Sequence, residues 1–236
     1  MKEIHPSQKL LAFGERESEN ERRRESCCLE NLKMPLAPWL APLARALDLN
    51  RSLPYSRYLQ LATVRADGRP ANRTVVFRGF LEDTNQLKFV IDSRSEKAEQ
   101  IEHQPWGEAC WYFPDTRQQF RLAGSLTLVG SDTRSVAPLG HRSDSERELA
   151  RQKTWQELSD AARLQFAWPH PGETRAEDAG AFSPPPPDAV SPLPNFCLLL
   201  LDPVQVDRLE LRGEPQNRWL YRRDSSQAWS TLAINP

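Results

Sequence analysis

Apolar and polar residues alternate from Tyr58 to Val64, the period-two pattern of a strand with one buried face. Ala66-Asp67-Gly68-Arg69 supplies turn chemistry that reverses the chain into a second strand, Asn72 to Phe80. Asp83-Thr84-Asn85-Gln86 punctuates before a third strand, Leu87 to Ile91. Trp106 to Phe113, Gln119 to Ala123 and Ser125 to Val129 read as three more, separated by Pro114-Asp115-Thr116 and bent at Gly124. Near the end, Phe196 to Leu201, Val204 to Leu211, Trp219 to Arg222 and Trp229 to Ile234 have strand character, the last two facing each other across Asp224-Ser225-Ser226-Gln227.

Helical periodicity is confined to three places. Pro38 to Leu47 reads as a short amphipathic helix with proline near its start. Ser93-Arg94-Ser95-Glu96 has capping-box spacing, with Ser93 as N-cap, and the helix it opens should end near His103 because Pro105 follows. Ser143 to Phe166 places Leu149, Trp155, Leu158, Ala162 and Phe166 at roughly helical spacing and predicts two short helices. The expected fold class is mainly β with helices (α+β), and long β-pairing around one helix points to a barrel.

Residues 1–33, with the run from Glu15 to Glu25, have no apolar face to bury and are expected to be a disordered tail. Met34, where the character changes, is a candidate start of the native product, so the folded domain is expected to be 34–236. Residues 181–194 are proline-rich without a core pattern and read as an extended loop.

Composition narrows the functions available. With 31 basic and 32 acidic residues among 236, interleaved throughout, no global field draws the chain to nucleic acid or an anionic membrane. No stretch approaches the roughly 18 apolar residues of a spanning helix, and the start is too polar for a secretory signal, which reads as cytoplasmic. Cys27, Cys28, Cys110 and Cys197 show no CxxC pairing, and His5, His103, His141 and His170 no ligand spacing, so reduced thiols and no metal are expected.

Any anion site must then be local. On the strand Arg73 to Arg78, alternation puts Arg73, Val75 and Phe77 on one face and Thr74, Val76 and Arg78 on the other. Ser93, Ser95 and Lys97 stand at a helix start, where free N–H groups favour an anion. A basic strand beside a hydroxyl-rich helix start is a physically coherent phosphate site.

Three segments carry a resemblance. Arg73-Thr74-Val75-Val76-Phe77-Arg78-Gly79-Phe80, Phe89-Val90-Ile91-Asp92-Ser93-Arg94-Ser95-Glu96-Lys97 and Arg117-Gln118-Gln119-Phe120-Arg121-Leu122-Ala123-Gly124 resemble, in order and spacing, successive motifs of the pyridoxamine 5′-phosphate oxidase family. The likeness extends over roughly 36–236, and Phe166 to Gly172 is similar to its oxidase-like FMN-binding branch. It implies an FMN-binding split β-barrel and a homodimer with FMN at the subunit interface. Position by position, it implies Arg73, Ser95 and Lys97 on the FMN phosphate, the main chain from Thr74 through Val75 and Val76 to Phe77 and at Val90 and Ile91 along the cofactor, and Arg78 near the flavin. Gln119 and Arg218 would contact the ring, in the family from the partner's side.

The departures are as informative. Glu96 stands where the family has a second phosphate-binding arginine, with Arg94 a candidate substitute. Arg78 replaces a lysine and Leu211 a tryptophan. Glu214-Pro215-Gln216-Asn217 occupies the place of the substrate-binding Arg-x-His, and the residues binding the substrate phosphate have no match between Thr133 and Ser145. The resemblance therefore implies an FMN-dependent oxidoreductase of unknown substrate and unknown catalytic residues rather than a pyridoxamine phosphate oxidase. A non-catalytic FMN carrier or sensor is the alternative, and a haem- or deazaflavin-binding split barrel a third. Trp168 and Arg175 are candidates for holding a substrate.

Overall fold

The hairpin that opens the sheet turns where turn chemistry places it, but its second strand is Pro70–Val76 rather than Asn72 to Phe80, because from Arg78 the chain bonds to Lys88 instead. In the structure, a computed structural model that describes residues 36–131 and 143–236, β1 (Tyr58–Val64) pairs antiparallel with β2 (Pro70–Val76), from Tyr58 opposite Val76 to Val64 opposite Pro70. Gly68, at φ +81°, makes the turn, and its N–H donates to Arg65 O at 2.8 Å. Residues 37–81 and 85–236 group into one compact unit. The tail expected over 1–33 and most of the Thr133 to Ser145 stretch lie outside the described residues.

From β1 the sheet continues through β4 (Trp106–Phe113), β5 (Gln118–Val129), β6 (Phe196–Glu210), β7 (Asn217–Arg223) and β8 (Trp229–Ile234), while β3 (Leu87–Asp92) pairs with the first half of β6. Beyond the end of β2, Arg78 N–H donates to Lys88 O at 2.9 Å and Lys88 N–H to Gly79 O at 2.8 Å. That short junction closes β1 to β6 into a barrel, with β7 and β8 extending from the second half of β6. This is the split β-barrel expected from the sequence.

Two pairs of expected strands are single strands. The register shifts between Ala123 and Gly124, so what reads as a break at Gly124 is a β-bulge inside β5. A Cβ at Gly124 would lie 2.0 Å from Asp202 O, so the neighbouring strand can approach only glycine. Pro203 sits opposite that bulge, where its missing N–H interrupts β6 least.

Inward residues fill the barrel. Phe77, Trp111, Phe113 and Phe120 are nearly fully buried and stack in sequence at centroid separations of 4.9, 5.0 and 5.9 Å. Helix α1 (Leu40–Leu49) buries Leu40, Leu43 and Ala46, and α2 (Glu96–His103) buries Ala98, Gln100 and Ile101. Outside the barrel, α3 (Asp144–Gln156) and α4 (Asp160–Leu164) frame a second cluster of Trp155, Leu158 and Phe196 with Val90, Ala162, Phe166 and Leu193. The proline-rich stretch is tied to α3: Trp155 Nε1 donates to Asp188 O at 2.9 Å and Gln156 Nε2 to Val190 O at 3.3 Å.

The expected capping box of the second helix does not form. Ser95, not Ser93, is the N-cap of α2, and the Ser93 N–H is taken by Asn195 O at 2.9 Å. The Ser95 hydroxyl donates backwards to Asp92 O at 2.6 Å instead of accepting from the helix. A complete capping box occurs at α3, between Ser143 and Glu146.

Candidate functional site

β2 and β3 meet only at the Arg78–Phe80 end. Over Thr74 to Val76 and Val90 to Asp92, β2 is paired with β1 and β3 with β6, and no ladder joins the two among the described residues. The barrel is split here, and one edge of each strand keeps its main-chain donors and acceptors available to a ligand. The main chain of Thr74, Val75, Val76, Val90 and Ile91 borders this cleft. The side chains of Val75 and Ile91 turn into the core, 7% and 3% exposed.

Arg73 lies on the inward face of β2, in register between buried Ala71 and Val75 and opposite Leu61. A guanidinium can only donate, so every partner there must present a lone pair. Nη1 reaches Thr63 Oγ1 at 2.6 Å and the carbonyls of Leu61 and Ala71 at 3.2 Å each, and Nη2 reaches Gln100 Oε1 at 3.0 Å. All four acceptors are neutral. Burial, and secondarily Arg65, lowers the Arg73 pKa, with nearby Glu96 opposing, as expected for a cation bonded to no carboxylate.

Lys97, on the first turn of α2, completes the cluster. Its Nζ donates to Ser95 Oγ at 2.9 Å, and no carboxylate pairs with it. Burial, with Arg73 as the second cause, lowers its pKa too. Two cations that repel each other beside a helix start, one of them bonded to the Ser95 hydroxyl, have the chemistry to hold a dianion. Glu96 is exposed to solvent, and its negative charge opposes the lowering of both the Arg73 and the Lys97 pKa.

Arg78, on the outward face at the junction, has a buried Nε with no hydrogen-bond partner, and burial lowers its pKa. A buried donor left unpaired is costly unless a ligand takes it. Arg94 does not substitute for the family's second phosphate arginine. Its guanidinium is bonded to Asp92, as near as 2.6 Å, and to the carbonyls of Phe166 and Trp168 at 3.2 Å each. Burial opposes charge on Asp92, yet hydrogen bonds from Arg94 and Asn195 hold its carboxyl below the usual range.

Gln119 and Arg218 are not brought to this cleft. Gln119 lies in register with Leu209 of β6, and Leu209 with Arg218 of β7, so the two share the outward face. β5 is three strands from β2 in either direction round the barrel, on the opposite wall. There Asp207, 6% exposed, accepts from Arg218 Nε at 3.0 Å and Nη2 at 2.7 Å, and from Arg121 Nη2 at 2.6 Å. Exposed Tyr58 and Tyr112 lie on the same outer surface, Tyr112 in register with Gln119. Trp168 packs edge-on against Phe182 at 6.1 Å, and Arg175 stacks over the same ring at 4.7 Å.

Sequence reading missed Thr63 and Gln100, both buried and both holding Arg73. The one available signal was polar residues at positions whose periodicity calls for apolar ones: Thr63 follows Leu59 and Leu61, and Gln100 precedes Ile101 on the buried side of α2. Among the described residues no group of histidine, cysteine or carboxylate side chains could hold a metal ion.

Residues 36–130 match the family model described as pyridoxamine 5′-phosphate oxidase, FMN-binding domain. A protein of Arabidopsis thaliana named pyridoxine/pyridoxamine 5′-phosphate oxidase 2 is 34% identical over 203 residues, covering 85% of this chain and 98% of the relative. The crystal structure of a pyridoxamine 5′-phosphate oxidase-related, FMN binding protein from Nostoc punctiforme PCC 73102 superposes with a TM-score of 0.80 at 65% identity, over 86% of this chain and all of that one. PhzG from Burkholderia lata 383, 20% identical, shares the fold with a TM-score of 0.64 over 87% of this chain and all of its own.

Proposed function

This chain belongs to the pyridoxamine 5′-phosphate oxidase family of FMN-binding proteins, and from that premise we propose that it is an FMN-dependent oxidoreductase acting on a small molecule. The observation that carries the reading is the cradle of Arg73, Ser95 and Lys97, two cations without a carboxylate partner beside a cleft edged by unpaired main chain. The buried, unpartnered Arg78 Nε fits the same cofactor, since a flavin offers lone pairs along its ring edge.

In this reading Arg73, Ser95 and Lys97 hold the phosphate, and the main chain of Thr74 to Val76 and of Val90 and Ile91 lines the cofactor. Bound FMN supplies the redox chemistry. Arg78 places a cation where charge builds on the reduced ring, and the cleft walls orient the ring and exclude water.

The reading includes a homodimer. Gln119 and Arg218 face outward on the wall opposite the cleft, so within one chain they cannot reach a ligand held by Arg73, whereas a second copy can bring them there. Asp207 fixes Arg218 for that contact. Mixing Arg73→Ala and Arg218→Ala chains is expected to restore native flavin behaviour to half the sites of the heterodimer. No restoration would overturn the shared site.

The activity is tested on the purified yellow protein under anaerobic conditions, with reduced pyridine nucleotides, small amines and pyridoxamine 5′-phosphate as reductants. Bleaching of the flavin by one of these is expected. A flavin that none of them reduces would overturn the oxidoreductase reading in favour of a carrier or sensor. The described residues contain no helix long and apolar enough to cross a membrane.

A further inference from the structure

The most unusual polar group near the cleft is Gln100. It is 6% exposed, on the inner side of α2, and its Oε1 accepts from Arg73 Nη2 at 3.0 Å and from Thr63 Oγ1 at 2.6 Å. Thr63, 2% exposed, in turn accepts from Arg73 Nη1 at 2.6 Å. The directions are forced: Arg73 has only donors, so the hydroxyl must spend its lone pair on Arg73 and its proton on Gln100. The three side chains form a closed ring of hydrogen bonds with one net positive charge.

We infer that Gln100, supported by Thr63, is a positioning residue that aims Arg73 while leaving its charge uncompensated, and that this neutrality sets the preference of the site for a phosphorylated flavin over riboflavin. The inference rests on the phosphate reading of Arg73 and Lys97. A carboxylate at position 100 would orient the guanidinium as well or better, because hydrogen bonds to charged partners are stronger. It would also neutralise Arg73 and present a negative charge beside the phosphate. An amide offers the same acceptor geometry without that charge.

Elsewhere in the fold, Asp92, Asp207, Asp202 and Glu148 hold arginines in place with carboxylates. Arg73 is held by an amide, a hydroxyl and two carbonyls instead. At this cleft Arg94 is paired with Asp92, whereas Arg73 is aimed by neutral groups and keeps its charge for a ligand.

The test compares FMN with riboflavin, which lacks only the phosphate, by flavin fluorescence titration of the apoprotein. Gln100→Glu is expected to weaken FMN roughly 30-fold or more, on the scale of one charge-assisted hydrogen bond, while riboflavin binding changes less than about threefold. Gln100→Leu, which removes the acceptor without adding charge, is expected to weaken FMN about three- to tenfold and again spare riboflavin. A merely structural role would weaken both flavins together, and that result overturns the inference.

Thr63→Val provides a second measurement should the glutamate variant fail to fold. A few-fold loss confined to FMN is expected, reversed in Thr63→Ser, and an equal loss of both flavins counts against the inference. Arg73→Ala separates the two levels. If it loses FMN selectively but Gln100→Glu does not, the role of Gln100 is wrong and the phosphate site stands. If Arg73→Ala itself retains FMN, the phosphate site is misplaced and the inference falls with it.

Discussion

The arginines of the cleft and those of the outer face are chemically identical and are held in opposite ways. At the cleft, Arg73 is held by neutral groups and Lys97 by a hydroxyl. On the outer face Asp207 takes Arg121 and Arg218 together, and on the other face of the same strands Asp202 takes Arg223 and Glu210 takes Arg208, which also stacks on Trp219 at 4.8 Å. A carboxylate partner fixes an arginine and spends its charge, whereas a neutral one fixes it and keeps the charge for a ligand. Counting basic residues does not locate a phosphate site in this protein, and Arg212 and Arg222 show that a neutral partner alone does not either. What marks the cleft is that Arg73 and Lys97, neither bonded to a carboxylate, stand close enough to repel each other.

The comparison breaks most visibly at Arg73. Arg73→Ala is expected to weaken FMN by about 1.5–3 kcal/mol, the scale of a hydrogen bond to a charged group, with Lys97→Ala close behind. Equilibrium dialysis measures both, and variants that stay fully loaded would place the phosphate elsewhere.

Asp207→Ala is expected to act on stability as well as on the Arg218 contact, lowering unfolding free energy by about 1–2 kcal/mol because three charge-assisted bonds are lost while water reaches the two freed arginines. Urea unfolding reads this, and an unchanged midpoint would mean the outer-face ladder is not structural.

The pH dependence sharpens the same contrast. Burial and Arg73 lower the Lys97 pKa in the apoprotein, and a bound phosphate raises it again. Linkage then makes affinity greatest below the apoprotein pKa of Lys97 and makes it fall as pH rises from that value to the higher one of the complex. The alkaline loss of FMN should therefore begin below the ordinary lysine value of 10.5. Lys97→Met should remove that limb from the titration, and an unchanged limb would assign it to another group.

Gln119→Ala should shift the flavin's potential or spectrum more than its affinity, since its partner in register is Leu209 rather than the cradle. An unmoved potential would argue against contact with the ring. Smallest of all, Asp48→Ala breaks the exposed Arg51 pair and should change unfolding free energy by less than about 0.5 kcal/mol.

Legibility in the sequence followed locality. Period-two alternation located β1 to the residue, because a strand with one wet face writes its geometry into every second position, and flanking turn residues bounded β4 and β8 as closely. It split β5 and β6 in two, because a glycine or proline reads the same at a bulge as at a strand end. Ser93-Arg94-Ser95-Glu96 and Ser143-Asp144-Ser145-Glu146 share the Ser-x-Ser-Glu pattern, yet only the second forms a capping box. The Ser93 N–H is claimed by Asn195 and Arg94 by Asp92, and neither Asn195 nor the carbonyls of Phe166 and Trp168 is near in sequence.

The same divide separates the parts of the site. Arg73 on an alternating strand and Ser95 and Lys97 at a helix start are local features, and the sequence alone determined them together with the barrel's strands and the family they belong to. Which cations remain unpaired was decided by tertiary structure. Thr63 stands 10 residues and Gln100 27 residues from Arg73, and Asp207 86 residues from Arg121. Charge compensation depends on distances of a few ångströms between groups far apart in the chain, and only the folded barrel sets those distances.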